Sequence, residues 1–201
     1  MDLVGTEYLN NNYPLGWAMA GNTPLKRFKQ NVHGAGVRDP LVVHWPAGID
    51  SDAAGDRYQF CHAVDLTPTV LSILGHEAPS AVNGIEQLDI DGVSLARSFS
   101  DAVSPGRQRP QIFELFGHRA IWANGWKAVA FHESGTSFSD DEWELYDLGN
   151  DFAENNDLAA SEPARLLELT DEWWRQPAHP HSPRVLARPG ASAFGCLSRH
   201  S

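Results

Sequence analysis

Residues 22–46 read Asn-Thr-Pro-Leu-Lys-Arg-Phe-Lys-Gln-Asn-Val-His-Gly-Ala-Gly-Val-Arg-Asp-Pro-Leu-Val-Val-His-Trp-Pro. The stretch contains a lysine and a histidine, Lys29 and His33, in a glycine-containing loop. The loop leads into a short apolar run at residues 40–45 that is flanked by proline, a pattern typical of a buried strand. The sequence therefore predicts a loop with functional side chains that continues directly into a core strand.

The composition describes a globular chain with enough apolar residues for one good core or two small ones. It has 201 residues, is 42% hydrophobic and contains no long unbroken apolar run, so we expect no membrane association. No signal peptide is visible at Met1, which predicts a cytoplasmic location by default, or a periplasmic or secreted one if the true start lies upstream. Cys61 and Cys196 are predicted to be buried free thiols.

The charge distribution argues against a nucleic-acid partner. The formal net charge is -11, whereas a phosphate-binding surface needs clustered lysine and arginine. Residues 177–201 differ from the rest, because they contain three arginines and no acidic residue. This segment shows no periodicity, and we predict that it is a disordered tail.

Turn and capping residues suggest how the first part of the chain is organised. Thr67 as N-cap, Pro68 at the first helical position and Gly75 after the last turn predict a helix at residues 68–74. Asn-Gly at residues 83–84 and Asp-Gly at residues 91–92 predict turns within connecting loops that extend to about residue 109. Together with the strand at 40–45, these features predict an α/β portion over residues 1–110.

The following part has the pattern of an antiparallel meander with one helix. Short aromatic and β-branched runs at residues 111–116, 120–122, 126–131 and 143–147 are separated by glycine or asparagine. Ser161-Glu162-Pro163 then begins an amphipathic helix that Pro177 ends. We predict a small α+β domain over residues 111–176, formed by a sheet and a helix.

These segments resemble the arylsulfatase family. In the family pattern, an Asn-Thr-Pro segment leads to a lysine, a His-Glu-Gly-Gly turn and a Pro-initiated strand, and the matching residues here are Lys29, His33, Gly36, Arg38 and Pro40. Two later segments also resemble the family, His-Ala-Val-Asp-Leu-Thr-Pro-Thr at 62–69 and Trp-Glu-Leu-Tyr-Asp-Leu at 143–148. The resemblance covers residues 13–176. It implies that residues 1–110 end an α/β domain of the alkaline-phosphatase type and that a small C-terminal domain follows.

The resemblance also implies a reaction, the hydrolysis of sulfate monoesters. Family members use a formylglycine, made within a Cys-x-Pro-x-Arg or Ser-x-Pro-x-Arg signature, and a Ca²⁺ ion held by Asp and Asn. We expect this chain to lack the signature and the calcium ligands, to need both from upstream sequence, and to be inactive alone. The near match Cys196-Leu197-Ser198-Arg199 lacks the proline, and we do not expect it to be catalytic.

Two residues of the loop are predicted site residues. By resemblance, Lys29 is catalytic and binds the sulfate, stabilising its charge. The alternative is a solvated lysine beside Lys26 and Arg27. His33 is predicted to contact substrate, or alternatively to bond backbone in the turn. Arg38 is expected to anchor the loop through a carboxylate.

The loop departs from the family pattern at two positions. Gly34 and Ala35 replace the Glu and first Gly of His-Glu-Gly-Gly, which removes an acceptor that could hold the loop. If position 35 needs a positive φ, alanine costs roughly 1 kcal/mol there.

We expect no metal site in this chain. A zinc set could be drawn from the tail, but its irregular spacing favours disorder; its members would be His179, His181, Cys196 and His200. The acidic residues Asp140, Asp141 and Glu142, and likewise Asp147 and Asp151, could bind a cation but are expected to form solvated turns.

Three functions remain open at this point. The first is a segment of a sulfuric-ester hydrolase acting on a small sulfate ester. The second is a related enzyme acting on phosphodiesters or phosphonates, and the third is a non-catalytic structural or interaction module. The sequence does not separate aryl from carbohydrate sulfates, and it leaves the oligomeric state open.

Overall fold

The computed structural model of the chain describes residues 6–7 and 13–175, which divide into two compact units. The first, called the sheet unit below, comprises the described residues up to Asp39 and from Gln111 onward. The second, the middle unit, is Pro40–Pro110. The sequence division assigned residues 1–39 to the same part as residues 40–110, whereas the described residues of that segment group with the sheet, because the Lys29 loop packs on one of its faces.

The chain contains four α-helices and six β-strands in the described residues. The helices are α1 (Leu15–Gly21), α2 (Gly34–Val37), α3 (Leu66–Ile73) and α4 (Pro163–Arg175). The strands are β1 (Ala81–Val82), β2 (Ile85–Glu86), β3 (Gln111–Leu115), β4 (His118–Ala123), β5 (Trp126–Ala130) and β6 (Trp143–Asp147). Short 3₁₀ helices occur at Ser51–Ala53, Ala63–Asp65, Ala96–Phe99 and Phe138–Asp140.

Strands β3 to β6 form one antiparallel sheet in chain order, which confirms the predicted meander. Two of its connections are two-residue turns in which both residues have positive φ. Phe116 and Gly117 join β3 to β4 with φ of 55° and 88°, and Asn124 and Gly125 join β4 to β5 with φ of 51° and 84°. Turns of this kind match the right-handed twist of the strands they join.

Both faces of the sheet are covered. On one face, side chains of β4, β5 and β6 pack against Leu169 and Trp173 of α4, which confirms the predicted helix and its packing. On the other face, Ala120, Val129 and Tyr146 pack against Val32, which lies in the loop before α2. Each large apolar side chain buried in this way contributes about 1.5–3 kcal/mol. The loop is therefore part of the core of the sheet unit.

In the middle unit, the predicted helix is present but begins at Leu66, one residue before the proposed cap Thr67. The backbone N–H of His62 donates to the carboxylate of Asp65. Asp65 is the last residue of the preceding 3₁₀ helix and stands directly before α3. The helix ends at Ile73, one residue before the predicted end, and the predicted glycine follows with φ 69° at Gly75, while the His76 amide bonds to the Leu71 carbonyl. Within the predicted connecting loops, strands β1 and β2 form a small hairpin across the Asn-Gly turn.

The interior of the middle unit is polar. Its buried residues are Asp65, Thr69, Ser104 and Arg107, and no apolar side chain of residues 40–110 is buried. The Asp65 carboxylate accepts the backbone N–H groups of His62 and Val93, both at 2.8 Å, and a guanidinium N–H of Arg107 at 2.7 Å. The interior of this unit is therefore organised around a carboxylate that accepts three hydrogen bonds, and not around packed apolar side chains.

The prediction of a buried strand at residues 40–45 is wrong. These residues have no regular secondary structure, and Val42 is 87% exposed. A strand needs a neighbour for its backbone groups, and every strand in the described residues pairs within one of the two antiparallel sheets. Cys61 also differs from the prediction, because it is a free but exposed thiol, whereas Cys196 lies outside the described residues.

None of the helices in the described part of the chain has the length and apolar content needed to cross a bilayer. The predicted disordered tail at residues 177–201 lies outside the described residues, and so does the residue proposed to end α4, Pro177.

Candidate functional site

Lys29 occupies the tip of a tight turn. The Asn31 amide donates to the Phe28 carbonyl at 3.2 Å, and Gln30 between them has a φ of 76°. Arg27, two residues earlier, has a φ of 69°. Positive φ is unfavourable for side chains of this size and occurs where surrounding contacts enforce it, often at functional sites. The backbone on both sides of Lys29 is therefore held in a strained conformation.

The ammonium of Lys29 is exposed, whereas its two cationic neighbours are engaged. Lys26 donates to the Tyr146 hydroxyl at 2.6 Å and to Glu144 Oε2 at 3.3 Å. The Arg27 guanidinium lies 4.4 Å from the centroid of the Phe131 ring. Among residues 13–175, none forms a hydrogen bond or ion pair with the Lys29 side chain. Of the three cations at residues 26–29, Lys29 is the one available to a ligand.

Glu144, on β6, is the main acceptor beneath this loop. Its Oε2 atom accepts from His33 Nε2 at 2.6 Å, from the Tyr146 hydroxyl at 2.7 Å and from Lys26. Burial acts to raise the pKa of Glu144, but the hydrogen bonds from His33 and Tyr146 and the nearby positive charge outweigh it and lower the pKa to about 2. The carboxylate is therefore ionised across the physiological range.

His33 is completely buried, with its ring against Glu144 and edge-on to Tyr146. It is also the residue that precedes α2, in extended conformation. Its Nδ1 atom is buried and has no hydrogen-bond partner among the described residues. The ring thus bonds the side chain of Glu144 and not the backbone of the turn, and the predicted contact with substrate stays a prediction.

A second carboxylate holds the end of the loop. The Gly34 amide donates to Glu154 Oε2 at 2.8 Å, and Lys127 of β5 donates to Glu154 Oε1 at 2.6 Å. Burial lowers the pKa of Lys127, and the adjacent Glu154 opposes this shift. The acceptor expected to be lost with Gly34 is thus supplied from a different part of the chain, the segment after β6.

Three further loop positions can be compared with expectation. Ala35 lies in α2 and is absent from the positive-φ residues of the described chain, so the proposed strain does not arise. Gly36 is required, since a Cβ there would lie 1.9 Å from the Asn31 carbonyl oxygen. Arg38 stacks on Phe152, 3.9 Å from its centroid, and forms no ion pair within the described residues, which corrects the expected carboxylate anchor.

The acidic segments are engaged within the fold. Asp141 is buried and pairs with Arg119 and His132, so the predicted solvated turn is wrong at this residue. Asp147 accepts the Gly149 amide, and Asp151 accepts the Asn156 amide. Within residues 6–7 and 13–175, no three or more His, Cys, Asp or Glu residues come together as a group that could hold a metal ion. The residues proposed for zinc lie outside the described part of the chain, namely His179, His181, Cys196 and His200.

The nucleophile signature needs one correction. Residues 161–165 read Ser-Glu-Pro-Ala-Arg and match Ser-x-Pro-x-Arg by letter, contrary to the expectation that the pattern is absent. Here the match begins α4: the Ser161 hydroxyl donates to the Leu158 carbonyl and Pro163 is the first helical residue. Arg165 pairs with Glu168 on the exposed side of the helix. The start of helix α4 therefore explains why these residues occur at this spacing.

Comparison with known proteins gives the family. The family model described as N-sulphoglucosamine sulphohydrolase, C-terminal, matches residues 26–172, which include the loop, the middle unit and the sheet with most of α4. An uncharacterized sulfatase of Schizosaccharomyces pombe is 30% identical over 162 residues, covering 78% of this chain and 28% of the relative. An N-acetylglucosamine-6-O-sulfatase of Bacteroides thetaiotaomicron is 26% identical over 147 residues, covering 69% of this chain and 25% of the relative.

A solved structure shares the fold. The crystal structure of Ps i-CgsB in complex with k-i-k-neocarrahexaose has a TM-score of 0.60 and 25% identity, covering 84% of this chain and 38% of that one. The chain spans about a quarter of the length of the curated relatives named above. It belongs to the N-sulphoglucosamine sulphohydrolase C-terminal family and represents the C-terminal portion of a sulfatase.

Proposed function

We propose that this chain supplies a sulfate-binding loop and the C-terminal domain of a sulfatase that hydrolyses sulfate monoesters. The observation that carries the proposal is the free ammonium of Lys29 on a strained turn, beside two cations that the fold has engaged. An ammonium is a compact charge with three donors, suited to a nonbridging sulfate oxygen. Placed there, it stabilises the negative charge that shifts among the sulfate oxygens during transfer.

The proposal includes a formylglycine nucleophile and a Ca²⁺ ion, both supplied by sequence outside these 201 residues. Lys29 then acts as a charge-stabilising donor whose position is set by the sheet unit. The 201-residue chain alone is expected to show no turnover of an aryl sulfate.

Carbohydrate sulfates are the proposed substrate class. The support comes from the relatives: one is named an N-acetylglucosamine-6-O-sulfatase, and another was solved in complex with an oligosaccharide. Comparing kcat/KM for an aryl sulfate with kcat/KM for a carbohydrate sulfate would distinguish the two substrate classes.

The test is the Lys29→Ala substitution in a full-length enzyme that contains this sequence. We expect kcat/KM for p-nitrophenyl sulfate and for glucosamine 6-sulfate to fall by about 10² or more, the scale seen when a charge-stabilising donor is removed. Arg175→Ala, which removes an exposed cation at the end of α4, is the matched control and should leave kcat/KM within twofold. Lys29→Ala kinetics within tenfold of the parent enzyme would contradict the proposal, and faster turnover of a phosphodiester would favour the related phosphodiesterase activity.

A further inference from the structure

We propose that Glu144 is a positioning residue for Lys29, holding the loop through Lys26 and His33 so that the Lys29 ammonium reaches the sulfate. The inference rests on the proposed function, since it assigns a role to a residue that does not itself touch substrate. Nothing in the sequence pattern linked Glu144 to His33 or to Lys26, which lie 111 and 118 residues before it.

Glu144 contacts the loop on both sides of Lys29 in sequence. Glu144 binds Lys26, three residues before Lys29, and His33, four residues after it. Tyr146 is two residues from Glu144 on the same strand and therefore on the same face, where it binds Lys26 and packs against Val32. One strand thus fixes both ends of the turn.

The turn needs such an external support. Two non-glycine residues in it have positive φ, a conformation that relaxes unless the surroundings enforce it. The Ala35 amide bonds to the Lys26 carbonyl at 3.0 Å, which closes the loop on itself. Glu154 adds a third attachment at Gly34. Of these supports, Glu144 is the one that binds side chains on both sides of Lys29.

Charge gives Glu144 a second effect. Lys26 lies close to Lys29 in sequence and carries the same charge, so a free Lys26 ammonium would also attract a sulfate group. Glu144 and Tyr146 accept its hydrogen bonds and keep it on the sheet. Loss of Glu144 would therefore both loosen Lys29 and release a competing cation.

A double-mutant cycle in a full-length enzyme containing this sequence tests the role. We expect Glu144→Gln to lower kcat/KM for p-nitrophenyl sulfate about tenfold or more, because small misplacements of a catalytic group are costly. In the Lys29→Ala background, the same change should lower kcat/KM less than twofold, since the group it positions is gone. An equal loss in both backgrounds would overturn the proposal.

Two further variants separate positioning from stability. Asp141→Asn breaks a buried ion pair with Arg119, whose guanidinium lies over Trp173 on the α4 face of the sheet, and it should lower Tm while leaving kcat/KM within twofold. Tyr146→Phe is a milder change, for use if Glu144→Gln does not fold, and should give a smaller loss that also disappears in the Lys29→Ala background. A kcat/KM loss in Asp141→Asn as large as in Glu144→Gln would show that stability alone is responsible, which overturns the proposal.

A measurement without turnover keeps this inference separate from the proposed function. In the 201-residue chain, Glu144→Gln should speed amide hydrogen exchange at Asn31 and Ala35 at least tenfold relative to Ile121 in β4. If exchange changes in this way but Lys29→Ala leaves activity intact, the proposed function fails while Glu144 still sets the conformation of the loop. Unchanged exchange at Asn31 and Ala35 would overturn the positioning role.

Discussion

The sheet unit and the middle unit differ in what their interiors are made of. The sheet unit buries apolar side chains on both faces of β4, β5 and β6, with Ile121, Val129 and Leu145 fully inaccessible. The middle unit buries four polar residues around Asp65 and no apolar side chain. Apolar burial is the main driving force of folding, so the sheet unit has the means to fold by its own contacts and the middle unit has far less.

Helix α3 shows where the apolar residues of the middle unit lie. Its exposed apolar residues recur at the spacing of one helix face, and they are Leu66, Val70, Ile73 and Leu74. At the start of the same unit, a stretch without regular secondary structure exposes Leu41, Val42 and Val43. In this unit, the residues that would form a core are at the surface, and the polar link between Asp65 and Arg107 holds the backbone.

The largest expected effect comes from truncating the core of the sheet unit. Trp173→Ala removes a buried ring that packs against Trp143 and Trp174, and it should lower the free energy of unfolding by about 3–5 kcal/mol. Val70→Ala, a truncation on the exposed face of α3, should change it by less than about 0.5 kcal/mol. Urea unfolding followed by circular dichroism measures both, and a similar cost for the two variants would break the comparison.

The middle unit should respond to loss of its buried ion pair. Arg107→Met leaves the Asp65 carboxylate buried without its cation, which costs about 3 kcal/mol or more. Hydrogen exchange at the Val93 amide, which donates to Asp65, should accelerate, while exchange in β4 stays the same. Arg97→Met removes an exposed arginine of the same unit and serves as the control. Unchanged protection at Val93 would mean that the ion pair does not hold this unit.

Acid should weaken the attachment of the Lys29 loop. The folded pKa of Glu144 is about 2, below its ordinary value of 4.5, so its contribution to stability is complete above pH 4.5 and is lost as the pH falls toward 2. The stability difference between the unmodified chain and Glu144→Gln should therefore shrink across this range. Glu133→Gln, at an exposed position, gives the control. A difference that stays constant from pH 5 to pH 2 would contradict the lowered pKa.

The smallest expected effect on stability is at the exposed face of α3. Val70→Glu places a charge among exposed apolar side chains and should change the free energy of unfolding by less than about 0.5 kcal/mol. It should reduce any self-association seen by sedimentation velocity, because it interrupts an apolar surface. A large loss of stability would show that Val70 is buried in solution.

The local features of the fold followed from the sequence, and the long-range ones did not. Aromatic and β-branched runs separated by glycine or asparagine predicted the meander, and Pro163 with its following apolar period predicted α4. The apolar run at residues 40–45 predicted a strand that does not form, because the pattern does not specify a neighbouring strand to pair with it. The family motif predicts a role for Lys29, whereas the contacts that hold its loop come from Glu144 and Glu154, more than 110 residues away in sequence. Glu144 and Tyr146 lie on one face because they are two residues apart in a strand, but no sequence signal indicated that this face binds the loop.

Residue-resolved hydrogen exchange of the 201-residue chain most directly tests whether the Lys29 loop belongs to the sheet unit. The sequence division places residues 1–39 with residues 40–110, whereas in the structure the described residues up to Asp39 belong to the sheet unit. We expect slow exchange at Gly34, Ala35 and Arg38, whose amides are hydrogen-bonded within the sheet unit, and fast exchange at Leu41, Val42 and Val43. Exchange at residues 34–38 as fast as at residues 41–43, or strong protection over residues 41–43, would contradict this account.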